Sequence, residues 1–273
     1  MIWIKLPLQQ TKLTIVIALV LVSFTSCLAH IQAQPAKPVA STVRFVPPPP
    51  PADRGTPGRS RGGASRSGQC PNVSKPLTAL VPATKVMTTS ESVWGLTDAE
   101  RPTFWFYVPY SLTSELPVEF VLQDDDGNYV YQSSFTASQK QSGIVKLRLP
   151  STAAPLKVGK MYKWYFLIDC DADAPPLVEG WVERRAMNPT LMSRLNEATP
   201  RQRVALYAAN GFWHDALTTL AELRTANPGE ATSYDWVSLL HSVGLDVIAQ
   251  EPIVQCCTPE KSVMQGGSVG LLE

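Results

Sequence analysis

The sequence predicts an α+β protein, an antiparallel β-sandwich over residues 70–186 followed by a small helical domain over residues 187–252. Three observations carry this. Short runs rich in Val, Phe, Tyr, Trp and Leu recur between turn signals from Lys75 to about Ala186. After Met187 the texture changes to apolar positions spaced near 3.6 residues. The chain has 273 residues, 44% of them apolar, which is enough for a sizeable core in one or two domains.

The N-terminal 33 residues read as a secretory signal peptide. Lys5 and Lys12 precede the apolar run Leu13–Phe24, and small residues follow at Ser26, Cys27, Ala29 and Ala33. The run is shorter than the ~20 residues of a comfortable membrane span. Cleavage after Ala29 or Ala33 is expected; a retained anchor, or a lipid on Cys27 in "FTSC", are the alternatives. The expected location is the periplasm or the exterior, with envelope anchoring as a variant of it.

Residues 34–69 read as a disordered linker. "VPPPPPAD" is a short polyproline II rod, and "RGTPGRSRGGASRSG" is rich in Gly, Ser and Arg. The net charge of +1 hides a split: Pro35–Gln69 carries +5, and the chain from Cys70 onward carries −6. An acidic body argues against nucleic-acid binding. The arginines Arg54, Arg59, Arg61 and Arg66 suit an electrostatic tether to an anionic envelope polymer.

Strands are predicted near 77–81, 92–96, 103–108, 117–123, 129–136, 144–149, 161–169 and 178–184. "DDDGN" supplies a hairpin turn before residue 129, with Gly127 and Asn128 tolerating positive φ. In "RPTFWFYVPY", alternation sets Phe104, Phe106 and Val108 on one face, and Thr103, Trp105 and Tyr107 on the other. The first face suits a core. The second needs a cover, either another element of the chain or a ligand. "LKVGKMYKWYF" places Leu156, Gly159 and Tyr162 ahead of Trp164 and Phe166. This resembles the tyrosine corner of immunoglobulin-like sandwiches, with Tyr162 bonding back to the preceding loop. Trp164 stands where an antibody domain would carry Cys, so the resemblance is to the fold and not to antibody domains.

Asn188-Pro189 and Thr199-Pro200 are N-cap and first-turn signals for helices over about 189–197 and 200–210. Gly211 ends the second, a third runs from Phe212 to Ala226, and a fourth begins after Ser233 and ends at Gly244. "YAANGFWHDALTTLAELRTANP" resembles a tetratricopeptide repeat at Tyr207, Gly211, Trp213, Ala216, Leu217, Leu220 and Pro228. One copy cannot bury its own faces, so the hairpin is expected to lean on the sandwich. Residues 253–273 read as a flexible tail.

Export changes how cysteines are read. Cys70 and Cys170 flank the predicted β domain and are the favoured disulfide. Cys256 and Cys257 are adjacent and are left reduced or paired elsewhere.

Several blocks together, among them "LTALVP", "PTFWFYVPY", "EFVLQDDDGNYVY", "GIVKLRLP", "KMYKWYFLIDCD" and "LYAANGFWHDAL", resemble the cyanobacterial domain-of-unknown-function family numbered 928. The resemblance spans about residues 54–257 and implies an exported protein. It supplies no catalytic residues.

No catalytic, cofactor or metal site emerges from the motifs. His214 and His241 lack zinc spacing and read as surface or satisfied histidines. "GGSVG" matches a nucleophile elbow, but Ser268 has neither the strand before it nor the acid and His after it. "DCDAD" offers Asp169, Asp171 and Asp173, yet Ala174 and Gly180 stand where a calcium loop needs Gly and Glu. The expected function is therefore a non-catalytic, envelope-associated binding or scaffold module. Its partner would be an envelope protein or anionic polymer, met at Trp213 and Trp236 on the helix hairpin. The alternative is a carbohydrate-binding module using Trp105 and Tyr107. A hydrolase with Asp169 or Asp171 as acid–base residue comes last.

Overall fold

The computed structural model describes residues 42–49, 51, 56–63, 70–86, 90–111, 116–136, 141–255 and 258–259. All of them fall in one compact unit, Thr42–Glu273. The signal segment, Arg54, Arg66, Cys256, Cys257 and Ser268 lie outside the described residues.

The chain builds a mixed α+β fold with two sheets and C-terminal helices. The strands are β1 (Pro57–Gly58), β2 (Thr78–Ala79), β3 (Ala83–Lys85), β4 (Glu91–Thr97), β5 (Thr103–Val108), β6 (Val118–Asp124), β7 (Tyr129–Thr136), β8 (Gly143–Arg148), β9 (Lys160–Ile168), β10 (Leu177–Arg184) and β11 (Thr258–Pro259). The larger sheet has the order β1-β4-β10-β9-β6-β7-β11, with β3 also on β4. The smaller has the order β2-β5-β8. Pairing is antiparallel except between β4 and β10.

Alternation explains the core between the sheets. Phe104 and Phe106 from β5 point inward and meet Phe120, Trp164 and Phe166 from the larger sheet. Phe106 and Phe166 stack at 4.0 Å. Gly180 makes room for this layer, because a Cβ there would lie 2.5 Å from the Trp164 ring. At one corner the Tyr162 hydroxyl accepts the Lys157 N–H at 2.8 Å. Cys70 and Cys170 form a disulfide, their Cα atoms 5.1 Å apart.

The helices are α1 (Pro189–Glu197), α2 (Pro200–Ala209), α3 (Trp213–Ala226) and α4 (Glu230–His241). The Asn188 side chain caps α1 by accepting the Leu191 N–H, and Thr199 with Gln202 forms a capping box on α2. Gly211, at φ 81°, lets the chain reverse between α2 and α3. A second core joins α2, α3 and α4 to the outer face of the smaller sheet. A third cluster sets Leu191, Leu195 and Phe212 over Trp94 and Leu96 of β4.

Two expectations need correction. The first is the linker over 34–69, in its described residues 42–49, 51 and 56–63. Val43 and Phe45 are buried in the helical core, and the Phe45 ring packs edge-on against Trp213 at 5.0 Å. The Val46 N–H donates to the Ala208 carbonyl. Further on, Pro57–Gly58 pairs with β4, and Arg59 exchanges two backbone hydrogen bonds with Glu179. One Phe in a proline-rich run is enough to tie that run down. Prolines cost it little, because an extended strap needs no helical or ladder N–H.

The second is the tail from residue 253. Ile253 bridges to Ile144, Val254 is buried, and Thr258–Pro259 pairs with β7. The segment "EPIV" is too short to show a period, but its two apolar side chains fill the side of the core.

Candidate functional site

The four rings expected to form a ligand or partner surface are buried. Trp105 and Tyr107 are covered by α3 and its neighbours, and the Trp105 indole donates to the Thr218 hydroxyl at 3.0 Å. Trp213 and Trp236 have no exposed area at all. Their indoles donate to the carbonyls of Leu80 and Ala249. A hairpin that must lean on a sheet turns its largest side chains toward that sheet. The expected surface of Trp105, Tyr107, Trp213 and Trp236 is thereby corrected to core. The arginine tether is also corrected in part: Arg59 and Arg61 expose their side chains but are fixed by bridges to Glu179 and Thr78.

Two concave sites remain on the seam between the smaller sheet and α3. The first is an open cleft of about 720 Å³ along the edge of β8, lined by Lys146, Arg148, Glu222, Thr225, Val254 and Gln255, among others. Its geometry follows from register. Trp105, opposite Lys146, sends its carbonyl the other way, to the Leu80 N–H. Even-numbered residues of β8 therefore turn their backbone groups outward. At Ile144 those groups are used: the N–H donates to Pro252 at 2.7 Å, and the carbonyl accepts from Val254 at 2.9 Å. Past Val254 no described residue bonds to this edge. The backbone groups of Lys146 then have no hydrogen-bond partner among the described residues. Both Lys146 and Arg148 point exposed side chains to the same face, without an ion pair among the described residues.

The second site is a polar cavity of about 220 Å³ between the β4–β5 loop and α3. It shares Arg148 and Glu222 with the cleft. Asp215, in the first turn of α3, accepts the Asp98 N–H at 3.1 Å. Desolvation, helped by the nearby Asp98 charge, pushes its carboxyl up to about 7, against hydrogen bonds from Asp98 and Thr97 that hold it down. The residue keeps some accessible surface, which opens the enclosed carboxyl to the cavity. Tyr207 is raised by burial and by the Asp215 and Asp98 charges. Thr97, Thr103 and Thr218 bring hydroxyl-bearing side chains to the walls.

Beside it, His214 is neither a surface residue nor a satisfied one. It is buried against Gly95 and the Phe104 ring, and its Nε2 has no partner. Burial pulls its pKa down to about 4, partly offset by a hydrogen bond to the Thr103 backbone. The imidazole is neutral at physiological pH. A Cβ on Gly95 would lie 3.1 Å from the ring, so Gly95 is what admits it.

The carboxylate turns are structural. Asp171 is buried and its Oδ1 accepts the N–H groups of Asp173 and Ala174. Asp124 accepts from Asp126 and Asn128, and these bonds lower its pKa. Sequence reasoning missed both concave sites. For the cleft a signal existed: "VKLRL" puts two cations on the outward face of a strand. For the cavity none did, because Asp215 and Thr97 meet only through tertiary packing.

A family model described as Domain of Unknown Function (DUF928) matches residues 61–253. No curated protein matches the chain.

Proposed function

We propose that this chain, which belongs to the DUF928 family, is an exported, non-catalytic adaptor of the cell envelope that docks an extended, acidic segment of a partner protein along the free edge of β8. The backbone of Lys146, which has no partner among the described residues, carries this reading. An unpaired strand edge in a cleft is a template for strand addition, in which main-chain hydrogen bonds give affinity and alternate side chains give specificity. Lys146 and Arg148 select acidic side chains on the added strand. Glu222 leaves the cleft with a net positive rim.

Export is supported by the N-terminal charge and apolar pattern and by the Cys70–Cys170 disulfide. The exposed side chains of Arg59 and Arg61 support contact with an anionic envelope polymer. The Tyr162 bond to Lys157 supports an immunoglobulin-like sandwich, and the α2–α3 reversal at Gly211 supports a tetratricopeptide-like hairpin in a cyanobacterial family. The glycan-binding alternative loses its rings to the core.

The test is fluorescence polarisation of the full chain with a labelled extended peptide of alternating Glu and Thr. Opposite-charge cross-strand pairs contribute up to about 1 kcal/mol each. Reversal by Lys146→Glu removes one pair and adds repulsion, so affinity should fall about tenfold. A peptide with Pro at alternate positions should not bind. Equal binding of both peptides, or no change with Lys146→Glu, would refute strand addition.

A further inference from the structure

We infer that the polar cavity between the β4–β5 loop and α3 binds an amino-acid-sized zwitterion, with its ammonium at Asp215 and its carboxylate at Arg148. The cavity adjoins the strand-docking edge and shares Arg148 with it, but Lys146 lines only the cleft and Asp215 only the cavity.

Complementarity selects the ligand class. Asp215 sits inside the fold with no ion pair among the described residues, and its nearest charged neighbour, Asp98, repels an anion. Asp98 on the loop and Glu222 on α3 favour an incoming positive group, and the Tyr207 phenol beside them is neutral. His214 on α3 is neutral, and the Arg203 guanidinium donates to the Leu195 carbonyl. An enclosed carboxyl without a counter-charge is costly to the fold, so a bound ammonium would supply what the chain lacks. A simple cation fits poorly, because Arg148 lines the same cavity with no ion pair among the described residues. Arg101 is different. Its guanidinium is held by the carbonyls of Ser151 and Ala153. Arg148 is thus the guanidinium left for a carboxylate, which it can grip with two parallel hydrogen bonds. A simple anion would leave Asp215 unpaired, and a neutral sugar would leave both charges unpaired. Threonine side chains on the same cavity wall can bond the ligand's remaining polar atoms. At about 220 Å³ the site is smaller than pockets for drug-sized ligands, which run to ~300–1,000 Å³.

Isothermal titration of the full chain with L-alanine, L-threonine and L-glutamate tests this, with acetate and methylammonium as half-ligands. At least one amino acid should bind with a Kd below about 1 mM, and both half-ligands should be about a hundredfold weaker. Asp215→Asn should weaken the amino acid at least about tenfold, as loss of a charge-assisted hydrogen bond does. Lys146→Glu should leave it unchanged, and Asp215→Asn should leave acidic-peptide binding unchanged, so the two sites fail separately. Should Asp215→Asn not fold, amide shifts at Asp98 and Thr218 on adding the amino acid give the same answer in the native chain. No heat and no shift with any of the three amino acids up to about 10 mM, or acetate binding as tightly as they do, would overturn the inference.

Discussion

Replacing Asp215 with Asn should change how stability depends on pH in a way worked out from two neighbouring residues. Burial raises the Asp215 carboxyl from 3.8 to about 7. Between those values the folded chain holds a proton that the unfolded chain has released. The stabilisation is fully present below pH 3.8 and is lost as pH rises through about 7. Over roughly three pH units at 1.36 kcal/mol each, the loss is about 4 kcal/mol. Because Asp215 keeps some exposure, this is an upper figure. His214 works in the opposite sense. Its pKa falls from 6.5 to about 4, so its contribution is present above pH 6.5 and is lost as pH falls through about 4. Between about pH 4 and 6.5 the two slopes nearly cancel in the wild type. In Asp215→Asn the His214 slope stands alone, and stability should climb with pH by up to about 1.4 kcal/mol per unit. Urea unfolding with the disulfide intact, at fixed ionic strength from pH 4 to 8.5, reads both curves. The variant should match the wild type near pH 4 and exceed it by up to about 4 kcal/mol above pH 7. A difference that stays constant with pH would show that the carboxyl is solvated and not enclosed by the cavity.

Trp105→Ala should cost about 3–5 kcal/mol in the same unfolding assay, as for a buried ring, with no selective loss of a glycan ligand; retention of full stability would return the ring to the surface. Cys70→Ser closes no loop of 100 residues and should lose up to about 4.7 kcal/mol on the chain-entropy account, read as a lower urea midpoint. An unchanged midpoint would refute that account. Gly180→Ala places a methyl against Trp164 and Val93, and should cost at least about 1–3 kcal/mol, whereas neutral behaviour would mean the sheets separate freely at this point. Phe45→Ala should expose residues 42–49 to protease by removing the ring that meets Trp213, and unchanged proteolysis would show that the strap is held elsewhere.

Local chemistry carried the secondary structure. The Asn188-Pro189 and Thr199-Pro200 pairs marked helix starts because a capping side chain and a fixed φ act within one turn. The strand from Thr103 to Val108 was legible because its inward Phe side chains alternate with its outward Trp and Tyr. What lay beyond reach was tertiary. Nothing in "TVRFVPPPP" says that Phe45 finds Trp213 across a separation of well over a hundred residues. The parallel pairing of β4 with β10 has no local signature. The fourth helix starts at Glu230, three residues before the expected cap at Ser233, because Gly229 serves as an uncapped start. The outward pair Lys146 and Arg148 was visible as alternation. Its importance depends on where residues 252–254 leave the sheet edge.

Amide hydrogen exchange at β8, with and without the alternating acidic peptide, decides whether a strand is added there. Strand addition predicts that the Lys146 and Arg148 amides, fast in the free chain, become protected when the peptide binds, while the amides of Val145 and Leu147, already turned to β5, stay as they were. Peptide binding that leaves Lys146 and Arg148 exchanging at their free rates would contradict the claim and reduce the cleft to a patch of positive charge.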